Sequence, residues 1–249
     1  MFAIRQALKK NPVIHALGRE VRSGARRIGD TVKQSSWKRR RHATIDAYLA
    51  STNERKLHIG CGPMMLDGWL NTDMEPARGP GIVYLDITER QPFPDGSFSF
   101  IYSEHLIEHV SLAAGIAHMK DCHRVLKPGG VMRIATPDLQ FLLDYFSGTP
   151  LTPVQAGFLK EMMDEFHPGL PMSSPAILLN EFVRDWGHQF IYDREVLRQS
   201  MELAGFAEVV SCKVKESSHA PLHGLERHGN AISDAYNILQ TMVLEGTKR

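Results

Sequence analysis

The chain predicts an α/β fold, a three-layer sandwich on a mostly parallel sheet. Three observations lead there. From Leu57 onward, short apolar runs of strand length alternate with segments of helical periodicity. The first run, Leu57 to Ile59, opens onto Gly60 and Gly62, the pattern of a buried strand ending in a tight turn where backbone approaches a ligand closely. The next two runs, Trp69 to Asp73 and Ile82 to Asp86, each end in an aspartate.

Composition bounds what precedes and surrounds this pattern. A chain of 249 residues suits one main domain with a terminal appendage. Residues 1–42 carry twelve Lys or Arg against Glu20 and Asp30, whereas the whole chain has a net charge of only +1. The N-terminal segment is therefore basic and the remainder acidic. Pro12 and the glycines at 18, 24 and 29 weaken a long helix there, so a basic arm or short amphipathic helices are expected. Such an arm suits an anionic membrane surface, nucleic acid or the edge of the sheet. No apolar run approaches the roughly 20 residues that span a bilayer, and no signal-peptide core is visible, so the expected location is cytoplasmic, with peripheral membrane contact through the arm. Cys61, Cys122 and Cys212 are far apart and without a C-x-x-C pair, which predicts neither a disulfide framework nor a cysteine zinc site.

The domain proper is expected over 43–249. Ala43 to Ser51 reads as a helix, and strands follow over 57–60, 69–73, 82–86 and 97–102. The connection from Cys61 to Trp69 is shorter than the dozen residues a parallel crossover normally needs, so its helix must shrink to about a turn. Leu112 to Leu126 has helical periodicity and stops at Lys127-Pro-Gly-Gly130. A strand over 131–135 and a helix from Pro137-Asp138 through Phe146 come next. Residues 147–185 contain five prolines and read as an irregular insertion covering the site, with one helix over 154–166. Phe158, Met162, Met163, Phe166 and Trp186 are expected to shape an acceptor pocket. A helix over 193–204, a strand over 207–214, a helix near 230–237 and a strand over 239–244 complete the chain, the last two strands suggesting an antiparallel addition.

In an open parallel sheet the ligand lies beyond the carboxyl ends of the strands. Asp73 there is a short rigid acceptor suited to ribose hydroxyls, and Asp86 is placed to face the exocyclic amine of a base. His105 and His109 follow the fourth strand and His188 follows the insertion, which makes these three the candidate proton acceptors. His105-x-x-Glu-His109 also has the spacing of a metal-binding pair, but no third ligand is identifiable from the sequence, and no metal is expected. Met65 stands where a dinucleotide fingerprint requires its third glycine, which argues against a nicotinamide enzyme.

Leu57-His-Ile-Gly-Cys-Gly62, Asp73, Asp86, Phe93-Pro-Asp-Gly-Ser-Phe98, His105-Leu-Ile-Glu-His109 and Leu126-Lys-Pro-Gly-Gly130 together resemble a class I S-adenosylmethionine-dependent methyltransferase of the type 11 group. The resemblance covers about residues 55–140. It implies a Rossmann-like, seven-stranded sheet of order 3-2-1-4-5-7-6 with strand 7 antiparallel, and S-adenosyl-L-methionine as cofactor. Gly60 and Gly62 would approach its methionine moiety, Asp73 the ribose and Asp86 the adenine. His58, Cys61, Met74, Ile87 and Ser103 complete the implied binding set, although the family often has an acid where His58 stands. The expected reaction is O-methylation of a small molecule, sugar or glycolipid precursor, the partner being that acceptor rather than nucleic acid. The rival expectation is a membrane- or nucleic-acid-associated binding protein whose cofactor site is inactive.

Overall fold

The computed structural model describes residues 33–227 and 232–249. The chain divides into two compact units, Met1–Thr44 and Ile45–Arg249. In the first, residues 33–44 are helical. The rest of the basic arm, 1–32, to which membrane contact was assigned, lies outside the described residues.

The second unit opens on helical residues 45–51 (α1), where Ile45 is buried in the core and the Tyr48 hydroxyl donates to the carbonyl of Lys56 at 2.9 Å. Seven strands follow among the described residues: β1 (Lys56–Ile59), β2 (Leu70–Asp73), β3 (Val83–Tyr84), β4 (Phe98–Glu104), β5 (Leu126–Pro137), β6 (Ala207–Cys212) and β7 (Thr241–Thr247). They form one sheet in the order β3-β2-β1-β4-β5-β7-β6, parallel except where β7 pairs with β5 and β6. Both the order and the antiparallel last strand are those the resemblance implies.

Strand alternation sorts the side chains into two faces. Leu57, Ile59, Ile101, Met132 and Ile134 enter the main core, which α2 (Leu112–Val125) and α6 (Arg194–Leu203) cover through Met119, Cys122, Leu197 and Met201. The opposite face carries Tyr102 and Val131, which pack with Trp69 and Leu222. Arg133 lies in the same alternating phase of β5, fully buried, and pairs with Glu226 at 2.6 Å and Glu245 at 2.6 Å. Residues 213–227 thus supply, on this face, the cover that crossover helices would otherwise provide. The short crossovers explain this. Between β1 and β2 there is room for turns alone, and Asn71 ties them down by accepting from the Leu66 amide at 2.8 Å and donating to the carbonyls of Leu66 and Trp69.

A second hydrophobic cluster stands apart from the sheet core. It gathers Phe141 and Leu142 of α3 (Leu139–Asp144), Phe158, Leu159, Met162 and Met163 of α4 (Pro153–Phe166), Leu178 and Phe182 of α5 (Pro175–Arg184), and Tyr236 of α7 (Asp234–Gln240). The segment expected to be irregular apart from one helix therefore holds two. Pro153 and Pro175 start them rather than break them, each occupying a first-turn position behind a capping Thr152 or Ser174. Other boundaries shift for local reasons. β5 begins at Leu126 rather than 131 because Gly129 and Gly130 exchange backbone bonds with Lys248. The helix expected near 230–237 starts at Asp234, where the Ser233 hydroxyl caps it by accepting from the Tyr236 amide.

Candidate active site

At the end of β1 the chain turns through Gly60 (φ +70°) and Gly62 (φ +51°), left-handed conformations that glycine adopts at low cost. A β-carbon on Gly60 would lie 2.9 Å from the Leu106 side chain. The turn is fastened to the end of β2: the Gly62 amide donates to Asp73 Oδ2 at 2.9 Å, and the Glu75 amide to Asp73 Oδ1 at 2.8 Å. Asp73 is buried, and each of its oxygens keeps a further lone pair. Asp86, beyond β3, accepts from the Thr88 amide and hydroxyl at 2.9 and 2.7 Å, while Ile87 beside it is half-buried. Ser103 lies in register with Ile59 across β1 and β4 and is buried. Met74 follows Asp73 and is exposed. Burial, with Asp73 close by, pushes the Cys61 thiol up to about 12, so it stays protonated and offers the site backbone rather than a reactive thiolate.

His58 is the one candidate of this set that the structure carries elsewhere. Leu57 and Ile59 face the main core, so His58 points to the opposite face, stacking on Tyr102 with centroids 5.2 Å apart and meeting Asn71 Oδ1 through Nδ1 at 3.1 Å. Burial lowers its pKa to about 4, against the raising influence of the Asn71 bond and Asp73, so it is neutral at pH 7. It braces the β1–β2 connection through Asn71. A nucleoside with an amino-acid tail fits the remaining residues: a turn whose two glycines carry no side chains, a carboxylate with uncommitted lone pairs and a half-buried aliphatic side chain.

The three candidate histidines come together. His105 follows β4 at φ +46°, fixed by its amide donating to the Ala135 carbonyl at 2.9 Å. Its Nδ1 is 3.2 Å from Oε1 of Glu108, which is fully buried and receives the Thr136 hydroxyl on Oε2 at 3.0 Å. Burial alone would raise the Glu108 pKa, but the contact with His105 holds it below the usual carboxylate value. The His109 and His188 rings meet edge to face at 4.9 Å. Residue 188 arrives from 79 positions away because the amides of Gln189 and Phe190 donate to the Glu108 carbonyl and the Gln189 side chain to the His109 carbonyl. His188 Nδ1 meets the Phe182 carbonyl at 2.6 Å, and burial lowers its pKa.

These histidines border a cavity of about 290 Å³ whose walls include Phe158, Met162, Phe166, Phe182 and Trp186. Met163 packs in the helical cluster instead. Glu108, Phe182, Glu161 and Glu165 also border the cavity and were not among the residues singled out as site members. Phe182 was findable, since Leu178 and Phe182 are spaced to share one face of a helix, but that required seeing the helix among the prolines.

Among the described residues no helix is long and apolar enough to cross a membrane. The Methyltransf_11 family, described as a methyltransferase domain, matches residues 57–134, which run from β1 into β5. No curated protein is significantly similar to the chain. Similar solved structures include a methyltransferase from Archaeoglobus fulgidus (16% identity, 88% of this chain and 94% of that one, TM-score 0.47) and one from Mesorhizobium loti (16%, 81% and 96%, 0.46). A third is phosphoethanolamine N-methyltransferase 2 of Haemonchus contortus with S-adenosyl-L-methionine (14%, 79% and 49%, 0.40). The strands that carry the glycine turn and the two aspartates, within residues 57–134, thus form a methyltransferase domain of the Methyltransf_11 type, on a sheet whose order is the one expected of a class I S-adenosylmethionine-dependent methyltransferase.

Proposed function

We propose that the protein O-methylates a small hydroxylated acceptor, such as a sugar or glycolipid precursor, with His105 as the base. The observation that carries this reading is the His105–Glu108 pair at 3.2 Å, at the end of β4 on the border of the cavity. Gly60, Cys61, Gly62, Asp73, Met74, Asp86, Ile87 and Ser103 form the proposed cofactor seat, with His58 left out of it. S-adenosyl-L-methionine, when bound, supplies a methyl group on an electrophilic sulfonium. The protein's own residues then position the acceptor and hold its proton. The buried Glu108 carboxylate beside Nδ1 would stabilise the imidazolium formed when His105 takes up a hydroxyl proton at Nε2, which the Thr241 hydroxyl neighbours at 3.4 Å. Phe158, Phe182 and Trp186 keep water from competing in the cavity.

Two measurements test the reading. Isotope-labelled methyl donor, offered with hydroxylated and amine acceptors, should leave label in an ether, and His105→Ala should lower kcat by roughly 10²- to 10⁴-fold. Label found on nitrogen or carbon would overturn the oxygen acceptor. In calorimetry, Asp73→Ala should weaken S-adenosyl-L-methionine by about tenfold or more, a loss of ~1.4 kcal/mol. Unchanged affinity would remove Asp73 from the seat.

A further inference from the structure

We propose that Glu108, His109 and His188 form a binding site for a divalent transition-metal ion at the border of the cavity. One carboxylate oxygen of Glu108 and one ring nitrogen from each histidine lie within 4.8 Å of one another. A tetrahedral ion with ligands near 2.1 Å needs donors about 3.4 Å apart, so side-chain rotation has to close up to about 1.4 Å. The His109 ring is half-buried at the cavity border, which leaves it room for that movement.

Three further features suit ligation. First, Glu108 Oε1 is buried and receives no well-formed hydrogen bond among the described residues, its neighbour being the His105 ring at 3.2 Å. A buried carboxylate oxygen short of donors is costly, and a cation relieves that cost. Each ionised carboxylate oxygen has two lone pairs, so Glu108 can face Thr136, His105 and an ion together. Second, the ligands have an outer shell of the kind metal sites use. Thr136 orients the carboxylate at 3.0 Å, and the Phe182 carbonyl, 2.6 Å from His188 Nδ1, selects the tautomer that leaves Nε2 as a lone pair. Third, backbone bonds from Gln189 and Phe190 to Glu108 hold the two parts of the site together, although they are distant in sequence. Trp186 (φ +54°) and Gly187 (φ +81°), both left-handed, form the turn that delivers His188.

The donor chemistry selects the ion. Two imidazole nitrogens with one carboxylate suit zinc, cobalt, nickel or iron(II), whereas magnesium and calcium prefer all-oxygen surroundings. Three protein ligands leave a fourth position open toward the cavity. Its use by an acceptor hydroxyl, polarised by the ion with His105 alongside, rests on the O-methylation reading. The metal site itself does not.

The test titrates chelator-stripped protein with Zn²⁺ by calorimetry and with Co²⁺ by visible absorption. One site per chain is expected, with an intense four-coordinate cobalt spectrum. His188→Ala and Glu108→Gln should each weaken it by more than about 100-fold, as should His109→Ala, while His219→Ala, beside Phe100 on the opposite face, should not. S-adenosylhomocysteine binding, measured on every variant, reports that the fold is kept. Absence of a stoichiometric site in the wild type, or its survival in folded His188→Ala, would overturn the proposal. If zinc binds while the methyl label appears on nitrogen, the metal site stands and the oxygen acceptor falls.

Discussion

Replacing His58 with asparagine is expected to remove a defined part of the acid sensitivity of folding while leaving cofactor affinity nearly unchanged. Asparagine keeps a donor close to the Nδ1 position, facing Asn71, and cannot titrate. The folded-state pKa of His58 is about 4, set chiefly by burial, against about 6.5 in an unfolded chain. The unfolded state therefore binds more protons than the native state between these values. Stability is fully present above pH 6.5 and declines as the pH falls toward 4. At pH 5 the loss amounts to about 2 kcal/mol, and below pH 4 it reaches a ceiling of ~3 kcal/mol. His118, also buried and held at about 4, adds a second loss of the same sign in the same window. Urea denaturation at pH 7.5, 6 and 5 isolates His58 as the difference between slopes, whatever packing the variant loses against Tyr102. The wild type should lose about 2 kcal/mol more than His58→Asn between pH 7.5 and 5. Parallel pH profiles would refute the buried neutral ring. Calorimetry at pH 7.5 should give affinities for S-adenosyl-L-methionine within about threefold of each other. A tenfold loss, with the variant folded, would return His58 to the cofactor seat.

Further substitutions probe the fold around the site. Arg133→Met strands the buried carboxylates of Glu226 and Glu245. It should cost about 3–5 kcal/mol, read as a fall in melting temperature of roughly 10 °C. Adding Glu226→Gln and Glu245→Gln should recover part of the loss. Gly60→Ala combines a φ of +70° with a contact 2.9 Å from Leu106, whereas Gly62→Ala, at φ +51°, meets nothing closer than Arg78 Nη1 at 3.7 Å. Both should lose about 1–2 kcal/mol from backbone strain. Chemical denaturation should show Gly60→Ala losing the more, by whatever Leu106 cannot relieve through rotation.

What the sequence made legible was local. A glycine after an apolar run needs no partner to announce a left-handed turn, and an acid closing the next strand lies at the same sheet edge by topology. Gly60, Gly62 and Asp73 accordingly meet, with a hydrogen bond between the turn and the carboxylate. The length of the first crossover also announced that no full helix could fit there. How the missing helix is replaced was not legible, since Asn71 looks like any polar strand residue until its three bonds to the 66–69 turn are seen. His58 was legible in principle. A period of two places it opposite Leu57 and Ile59, but the family position, rather than the strand geometry, drew attention to it. The meeting of His188 with Glu108 and His109 could not be read, because it depends on the path of α4 and α5 through the proline-rich segment.

That path also bears on why His105 and Trp186 hold left-handed conformations at residues other than glycine. The described residues contain four such positions, and these two border the cavity, one from the sheet and one from the helical lobe. Such backbone persists where its surroundings over-determine it. For His105 the constraint is the amide bond to Ala135 together with the contact to Glu108. For Trp186 it is the turn that must bring the amides of Gln189 and Phe190 back onto the Glu108 carbonyl. The same glutamate thus holds both walls, through its side chain on one and its backbone on the other. Replacing its carboxylate with an amide leaves the second attachment in place. Glu108→Gln should therefore impair proton transfer and metal binding well before it opens the cavity, which is what makes it a usable probe of the chemistry.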